Sequence, residues 1–281
     1  MTASRVDLYD NVYSDFASRA ERAVREETWG EDLGQSSWTT AGEWLDFADR
    51  LGIGAESDVL EVGSGSGGPA IYLAAKRGCR VTGVDINEHG VRNARALADA
   101  RGVAHRVDFR AVDASQPLPF PDGCFDAVVS NDAMCHIAGR LSALRDWHRV
   151  LRPGGRVLFS DAMVLTGIVS QEELATRSSI GFYLFVPPRL NEELLQAAGF
   201  AVLGVLDVTQ NEAEVARRWH DARERHREAL VTREGQANFD GLQHFLWCAH
   251  TLAAERRLSR YAYVAEKAAT RHSPESSDRS I

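Results

Sequence analysis

The segment VLEVGSGSGGPA, residues 59–70, decides the fold of this chain. An apolar stretch runs into a glycine-rich turn, and an amphipathic helix pattern begins directly after the turn. Glycine tolerates positive φ and lets the backbone approach a ligand closely, and the free N–H groups of a helix N-terminus favour a negative group. The segment therefore predicts a strand, a ligand-binding turn and a helix. The glycines of the turn are Gly63, Gly65, Gly67 and Gly68.

Apolar runs alternate with amphipathic stretches on both sides of this turn. Strands that are separated by helices of this length indicate βαβ units and a parallel sheet, and hence an α/β fold. Helical patterns fit residues 68–77, 88–101 and 138–151. The apolar runs are DVLEV (58–62), RVTGVD (80–85), VDFRAVD (107–113), FDAVVSN (125–131) and RVLFSD (156–161).

The flanking regions extend this plan. Apolar residues at helical spacing predict a helical N-terminal cap or lid over residues 1–52. AVLGVLDV (201–208) and SRYAYVAE (259–266) predict two late strands, with a helical insertion at about 211–257 that breaks near Gly235. We therefore predict a Rossmann-like, doubly wound, seven-stranded, mostly parallel sheet over residues 53–269. The polar residues 270–281 predict a disordered tail.

Composition restricts the partners. The 281 residues include 32 Lys and Arg against 40 Asp and Glu, a net charge of −8, which disfavours nucleic acid and anionic membrane as partners. The chain shows neither an apolar run long enough to cross a membrane nor a signal-peptide pattern, so we expect a cytoplasmic protein. Four scattered cysteines without a CxxC pair argue against disulfides and a zinc site. We expect a monomer or a homodimer.

The glycine turn also indicates a cofactor. Gly63, Gly65 and Gly68 match the GxGxxG pattern. A nucleotide-type cofactor needs a carboxylate for its ribose hydroxyls roughly 20 residues further on, and Asp85 ends the next apolar run. Two interpretations remain open at this point: an NAD(P)-dependent oxidoreductase and an S-adenosylmethionine-dependent methyltransferase.

Three further segments favour the second interpretation. With the glycine turn, the segments resemble class I S-adenosylmethionine-dependent methyltransferases, in the order and spacing of that family. The flanks resemble small-molecule enzymes, namely natural-product O- and N-methyltransferases and sarcosine/dimethylglycine N-methyltransferases. The segments are GVDIN (83–87), AVDASQPLPFPDGCFDAVVSNDAMCHI (111–137) and RVLRPGGRVLFSD (149–161).

The resemblance implies a function. S-adenosyl-L-methionine would be the cofactor, and the methyl group would pass to an oxygen or nitrogen of a small molecule, such as a natural product of secondary metabolism or an amine metabolite. The alternatives are a non-catalytic S-adenosylmethionine-binding protein and the NAD(P)-dependent oxidoreductase. The net charge of −8 disfavours a nucleic-acid methyltransferase.

The resemblance also implies roles for individual cofactor-binding residues. Asp85 would accept the two ribose hydroxyls, and Ile86 would flank the adenine. Asp113, followed by Ala114, would take the exocyclic amino group of adenine, and Asn131 would hold the amino end of the methionine through its backbone. The residues beside the methionine part would be Glu61, Gly63, Ser64 and Gly65.

His136 is the candidate catalytic residue. It follows the fourth apolar run by a short NDAMC turn, so it should lie over the carboxyl edge of the sheet, near the methyl group. A hydroxyl or ammonium acceptor must lose a proton, and histidine is a suitable general base. The alternative is a histidine that only packs or caps a helix. Histidine pairs six residues apart do not share a helix face, and Asp161 is followed by Ala162, so we predict no metal.

Aromatic side chains outside the cofactor motifs are candidates for binding the acceptor. They could enclose a planar acceptor or a methylated ammonium, or they could belong to the core. The sequence therefore does not name the acceptor. The substrate-binding candidates are Tyr9, Tyr13, Trp29, Gln35, Trp38, Phe182, Tyr183, Phe185 and Trp247.

Overall fold

A computed structural model describes Phe16 and residues 18–269. The candidates Tyr9 and Tyr13 and the predicted tail from residue 270 lie outside these residues. The predicted boundary between residues 52 and 53 stays a prediction.

A seven-stranded sheet forms the centre of the described part of the chain, in the order β3-β2-β1-β4-β5-β7-β6. The first five strands run parallel, and β7 pairs antiparallel with both β5 and β6. The predicted sheet is confirmed, including the two late strands. The strands are β1 (Asp58–Val62), β2 (Arg80–Asp85), β3 (Val107–Ala111), β4 (Phe125–Ser130), β5 (Leu151–Leu165), β6 (Phe200–Asp207) and β7 (Leu258–Lys267).

Helices cover both faces of the sheet, as the Rossmann-like prediction requires. Short polar side chains cap several of them; for example, the hydroxyls of Ser18 and Thr40 accept hydrogen bonds from the first turns of α1 and α2. The helices are α1 (Arg19–Trp29), α2 (Ala41–Leu51), α3 (Gly68–Arg77), α4 (Glu88–Ala100), α5 (Arg140–Val150), α6 (Gln171–Arg177), α7 (Leu190–Ala197), α8 (Thr209–Arg225), α9 (Arg227–Glu234) and α10 (Gln236–Ala254).

The central strands are apolar on both faces because each face packs against helices. In β1, Val59 faces a core formed with α2, α3 and α4. The next residue, Leu60, faces the opposite core, where Trp147 of α5 and Leu195 of α7 are fully buried. Because β1 to β5 run parallel, their carboxyl ends lie at one edge of the sheet.

A third core lies between α1 and the insertion helices α8 and α10. The insertion contains three helices, whereas the sequence predicted two with a break near Gly235. The extra break follows Arg225, and that residue and His226 both contact Glu27 of α1. No glycine or proline marks this break, so a local pattern could not predict it. Within the described residues, no helix is both long and apolar enough to cross a membrane.

Candidate active site

A cavity of about 410 Å³ opens at the carboxyl edge of the parallel strands, where open α/β sheets bind their ligands. One half of the cavity is bordered by the turns after β1, β2 and β3, and the other half by aromatic and aliphatic side chains. The predicted residues that line it are Gln35, Trp38, Glu61, Gly63, Ser64, Gly65, Asp85, Ile86, Asp113, Ala114, Asn131, His136, Phe182 and Tyr183.

The glycine turn is held against the neighbouring strand. The N–H groups of Gly63 and Ser64 both donate to the carbonyl of Val84, at 2.8 and 3.0 Å. Gly63 has a φ of +78°, and a Cβ at this position would lie 2.4 Å from the Cβ of Ala133. Glycine is therefore required both for the backbone conformation and for the close approach of the loop after β4.

Asp85 lies directly against this turn. Its carboxylate accepts the N–H groups of Gly65 and Asn87, each at 2.8 Å. Burial raises the pKa of Asp85, although the two backbone hydrogen bonds oppose that shift. The side chain of Ile86 is 70% exposed at the cavity rim and offers an apolar surface there.

Glu61 is a buried carboxyl group at the cavity wall. Its Oε1 accepts a hydrogen bond from the amide of Asn131 at 3.5 Å, and the Oδ1 of Asn131 accepts one from the hydroxyl of Thr39 at 3.3 Å. The second oxygen, Oε2, is buried without a hydrogen-bond partner in the part of the chain that the structure describes. Burial raises the pKa of Glu61 to about 8. A cationic ligand group would satisfy this carboxyl.

His136 is held in one orientation by a hydrogen bond of 2.7 Å between Nδ1 and the backbone carbonyl of Phe182. A carbonyl oxygen can only accept, so Nδ1 carries the proton and the lone pair of the neutral ring is on Nε2. Burial lowers the pKa of His136, which favours the neutral form at neutral pH. The ring of Tyr183 contacts the imidazole, with centroids 4.5 Å apart.

The structure places two tryptophan candidates away from the cavity. Trp29 supports the wall from behind, because its indole donates to the carbonyl of Ser37 and its ring contacts Trp219 at 5.0 Å. Trp247 is 50% exposed between two histidines on the outer side of the insertion. Phe245, two residues earlier on α10, lines the cavity instead.

Phe185 is also not at the cavity, and it packs partly buried against the core beneath the insertion. Several wall residues could not be predicted, because their apolar side chains lie in regions of the sequence that look like ordinary core. They are Met163, Ile180, Trp219 and Phe245. Asp132 also lines the cavity and is not among the predicted site residues; its backbone is left-handed, with a φ of +54°.

No group of three or more His, Cys, Asp or Glu side chains that could hold a metal ion occurs among the described residues. Asp161, which the sequence placed near the site, is fully buried and ion-paired with Arg140. Its carboxylate also accepts the amide of Asn191 at 3.1 Å. This aspartate therefore serves the packing of α5 and α7 against β5.

Comparison with known proteins identifies the family. Residues 60–159 match a methyltransferase domain model. Methyltransferase GfsG of Streptomyces halstedii is 31% identical over 212 residues, which are 73% of this chain and 75% of the relative. The chain belongs to the S-adenosylmethionine-dependent methyltransferases. S-adenosylmethionine is therefore the cofactor, as the sequence predicted, and the oxidoreductase interpretation is wrong.

Two further matches describe the neighbours of this methyltransferase. The 27-O-demethylrifamycin SV methyltransferase of Amycolatopsis mediterranei is 32% identical over 197 residues, 66% of this chain and 72% of the relative. Among solved structures, the (4+2)-cyclase SpnF is similar with a TM-score of 0.73 and 27% identity, over 93% of this chain and 94% of that one. The resemblance to natural-product methyltransferases is confirmed.

Proposed function

We propose that this methyltransferase transfers the methyl group of S-adenosylmethionine to a hydroxyl oxygen of a largely apolar small molecule, with His136 as general base. The observation that carries the proposal is the hydrogen bond from Nδ1 of His136 to the carbonyl of Phe182, because a proton on Nδ1 puts the lone pair of the neutral ring on Nε2. The cofactor supplies an activated methyl group and its leaving group, so the protein mainly aligns the reactants.

The half of the cavity that is bordered by the turns after β1, β2 and β3, the cofactor half, has residues that fit S-adenosylmethionine. Asp85 is positioned beside the glycine turn to accept ribose hydroxyls, and Ile86 offers an exposed apolar side chain for the adenine. Asp113, at the end of the neighbouring edge strand, would reach the adenine amino group. The buried, unpartnered Oε2 of Glu61 suits a positive group of the methionine part. Asn131, which hydrogen bonds to Glu61, would hold the amino end of the cofactor there.

The half of the cavity that is bordered by aromatic and aliphatic side chains, the acceptor half, favours an uncharged acceptor. Among the described residues that line the cavity, the acidic ones are Glu61, Asp85 and Asp113 on the cofactor side, together with Asp132. Asp132 is already paired with the guanidinium of Arg260 at 2.8 Å. An ammonium acceptor would therefore meet aromatic rings but no unpaired carboxylate in this half, whereas a planar apolar acceptor would fill it.

In the transfer step, Nε2 of His136 would take the hydroxyl proton as the acceptor oxygen gains the methyl group, which the cofactor would supply together with its thioether leaving group. The imidazolium would then return its proton to solvent, so that the products would be the methyl ether and S-adenosylhomocysteine. The carbonyl of Phe182 stabilises the imidazolium that forms, since it accepts from Nδ1–H throughout.

Two measurements test the proposal. The enzyme is incubated with S-adenosylmethionine and either 27-O-demethylrifamycin SV or 4-methylumbelliferone as hydroxyl acceptors, or sarcosine as an amine acceptor, and S-adenosylhomocysteine and methylated product are quantified. We expect turnover with a hydroxyl acceptor; transfer to sarcosine alone contradicts the proposal. Independently of any acceptor, ¹⁵N NMR of the S-adenosylhomocysteine complex should show His136 protonated on Nδ1. A ring protonated only on Nε2 also contradicts it.

A second candidate is cyclisation without methyl transfer. It is favoured by the match to the (4+2)-cyclase SpnF, which covers nearly all of both chains, and by the apolar acceptor half. A cycloaddition within one substrate needs neither a base nor a leaving group, so the protein would only have to fold the substrate in the cavity. Conversion of a polyene substrate at constant mass, without S-adenosylhomocysteine, would favour this candidate. A protein that binds the cofactor and converts nothing would match the non-catalytic alternative.

A further inference from the structure

Arg260, the third residue of β7, is fully buried and uses all five of its N–H donors. Nε donates to Oδ1 of Asp132 at 2.8 Å, and one terminal nitrogen donates to both carboxylate oxygens of Glu43 at 3.0 and 2.8 Å. The other terminal nitrogen donates to the hydroxyls of Thr39 at 2.7 Å and Ser160 at 3.3 Å. Asp132 and Glu43 raise the pKa of Arg260 although burial opposes its charge.

These partners belong to three regions that are distant in the sequence. Thr39 and Glu43 come from the segment before α2 and from α2 itself, whereas Asp132 follows β4 and Ser160 lies in β5. A fully satisfied buried network of this kind fixes the segments relative to one another. Arg260 does not line the cavity, so its effect on the site must pass through its partners.

Asp132 is the first of these partners that reaches the site. Its φ of +54° is a left-handed conformation that non-glycine residues rarely adopt. Besides Arg260, the hydroxyl of Ser160 contacts it twice, accepting from the Asp132 N–H at 2.9 Å and donating to Oδ1 at 2.8 Å. Asp132 stands between Asn131 and the short turn that carries His136. Its backbone conformation therefore sets the direction of both.

The strap, defined here as residues 36–39, is the second route from Arg260 to the site. The N–H of Trp38 donates to Oδ2 of Asp132 at 3.1 Å, and the carbonyl of Trp38 accepts from the side-chain amide of Asn211 at 2.9 Å. The hydroxyl of Thr39 accepts from Arg260 and donates to Asn131, whose amide in turn donates to the carboxyl group of Glu61. The strap is thus tied to the loop after β4 at both of its last residues.

We propose that Arg260 is a positioning residue of the methyl-transfer site. Its guanidinium holds Asp132 in the left-handed conformation and, through Asp132 and Thr39, fixes the loop of residues 131–136 to the strap that carries Trp38. Lysine cannot replace it, because a point charge with three donors cannot serve two carboxylates and two hydroxyls in one plane. The link to catalysis rests on the proposed function, whereas the link to cofactor binding and to the strap does not.

The test compares four single variants in the presence of S-adenosylhomocysteine. Asp132→Asn keeps a side chain that tolerates the left-handed region and still accepts from Arg260, whereas Asp132→Ala loses both features. Arg260→Lys keeps only the charge. Arg156→Lys is the matched control. Arg156 of β5 pairs with Glu266 of β7, so it joins the strands that carry Ser160 and Arg260, but away from the site. Thermal unfolding shows which variants fold.

For Asp132→Ala and Arg260→Lys we expect at least tenfold faster amide exchange at Trp38, loss of the Nδ1–H signature of His136 and about tenfold weaker S-adenosylhomocysteine binding, the scale of one lost hydrogen bond. Asp132→Asn should restore the His136 signature and most of the binding but not the slow exchange of Trp38, because its Nδ2 cannot accept from the Trp38 N–H. Arg156→Lys should change none of the three properties. Should Arg260→Lys fail to fold, the two Asp132 variants and Thr39→Val, which removes the hydroxyl that joins Arg260 to Asn131, give the test instead. Folded Asp132→Ala and Arg260→Lys proteins that keep wild-type Trp38 exchange and the His136 signature overturn the proposal.

The transfer rate separates this inference from the proposed function. If the wild-type enzyme methylates 4-methylumbelliferone, Asp132→Ala should lower kcat about 100-fold, the cost of misplacing a reacting group by about 1 Å, with a smaller change in the acceptor KM. If the wild-type enzyme transfers no methyl group, the proposed function fails, while the exchange, NMR and binding results still decide whether Arg260 positions the site.

Discussion

His136 and Phe182 are joined by a hydrogen bond of 2.7 Å from the imidazole Nδ1–H to the backbone carbonyl. The two residues are 46 positions apart, and the bond connects the loop after β4 with the segment between α6 and α7. The orientation of the ring is therefore set by tertiary structure. Because the tautomer follows from the acceptor, the contact decides which nitrogen can take a proton.

His136→Ala should lower the rate of methyl transfer about 10²–10⁴-fold, the usual contribution of a general base, and leave cofactor affinity within a few-fold. Burial lowers the pKa of His136 from its usual value of about 6.5. The base works only when neutral, so the wild-type rate falls as the pH drops through that lowered pKa. The pH dependence of kcat with a hydroxyl acceptor measures this, and the variant should lack the acid limb.

His89→Ala is the matched control for this variant. His89 lies near the exposed start of α4, and its backbone N–H rather than its ring contacts the cap residue Asn87. The control should keep the wild-type rate and pH profile. Near-full turnover of His136→Ala on a hydroxyl acceptor would show that His136 only packs against its neighbours.

Binding of S-adenosylmethionine should release a proton from Glu61. Burial raises the pKa of this carboxyl to about 8, so the free protein holds a proton there at pH 7. A cationic cofactor favours the ionised form and lowers the pKa, so affinity should increase from about pH 6 to about pH 8. Calorimetry in two buffers of different ionisation enthalpy measures the proton directly.

Glu61→Gln is the control for proton release. The amide keeps the size of the side chain and can still pair with Asn131, but it cannot titrate. The variant should bind S-adenosylmethionine more weakly and without buffer-dependent heat. Equal proton release by wild type and variant would assign the proton to a different group, with Asp85, whose pKa burial also raises, as the next choice.

Asp85→Ala should weaken S-adenosylmethionine binding by about 1.5–3 kcal/mol, the scale of hydrogen bonds to a charged group. The carboxylate is buried against the glycine turn and would lose both ribose hydroxyls. Asp108→Ala, at an exposed aspartate of the neighbouring strand, is the control and should bind normally. An unchanged titration curve for folded Asp85→Ala would remove Asp85 from the cofactor site.

The residues that line the proposed cofactor half could be predicted from the sequence because they follow from local patterns. The glycine turn follows β1, Asp85 ends β2 and Asp113 lies two residues beyond β3, so the order of the strands places them at one edge of the sheet. Asp132 and Arg260 are 128 residues apart, and their contact depends on β7 inserting between β5 and β6. Neither side chain carries a local signal that would reveal the pair.

Two aromatic residues of one helix also show that a local sequence pattern does not reveal which side chains reach the cavity. Phe245 and Trp247 are two residues apart on α10 and therefore point in different directions. The packing of α10 against α8 turns Phe245 to the cavity and leaves Trp247 exposed. The sequence pattern named Trp247 and not Phe245 as a candidate, and only the tertiary structure shows that Phe245 is the ring at the cavity.

This difference leads to a prediction that compares two tryptophans. Trp38 is 7% exposed at the cavity wall, and its ring stacks on Phe245 with centroids 6.4 Å apart, whereas Trp247 is 50% exposed outside the cavity. Trp38→Ala should raise the KM for a hydroxyl acceptor at least tenfold, since burying a large apolar side chain stabilises by about 1.5–3 kcal/mol. Trp38→Phe should show a smaller increase, because part of the ring contact remains. Trp247→Ala should leave KM within twofold of wild type.

Steady-state kinetics at saturating S-adenosylmethionine, on variants checked by thermal unfolding, measure all three. A raised KM for Trp247→Ala alongside a normal KM for Trp38→Ala would mean that the acceptor binds on the outer side of α10 and not in the cavity.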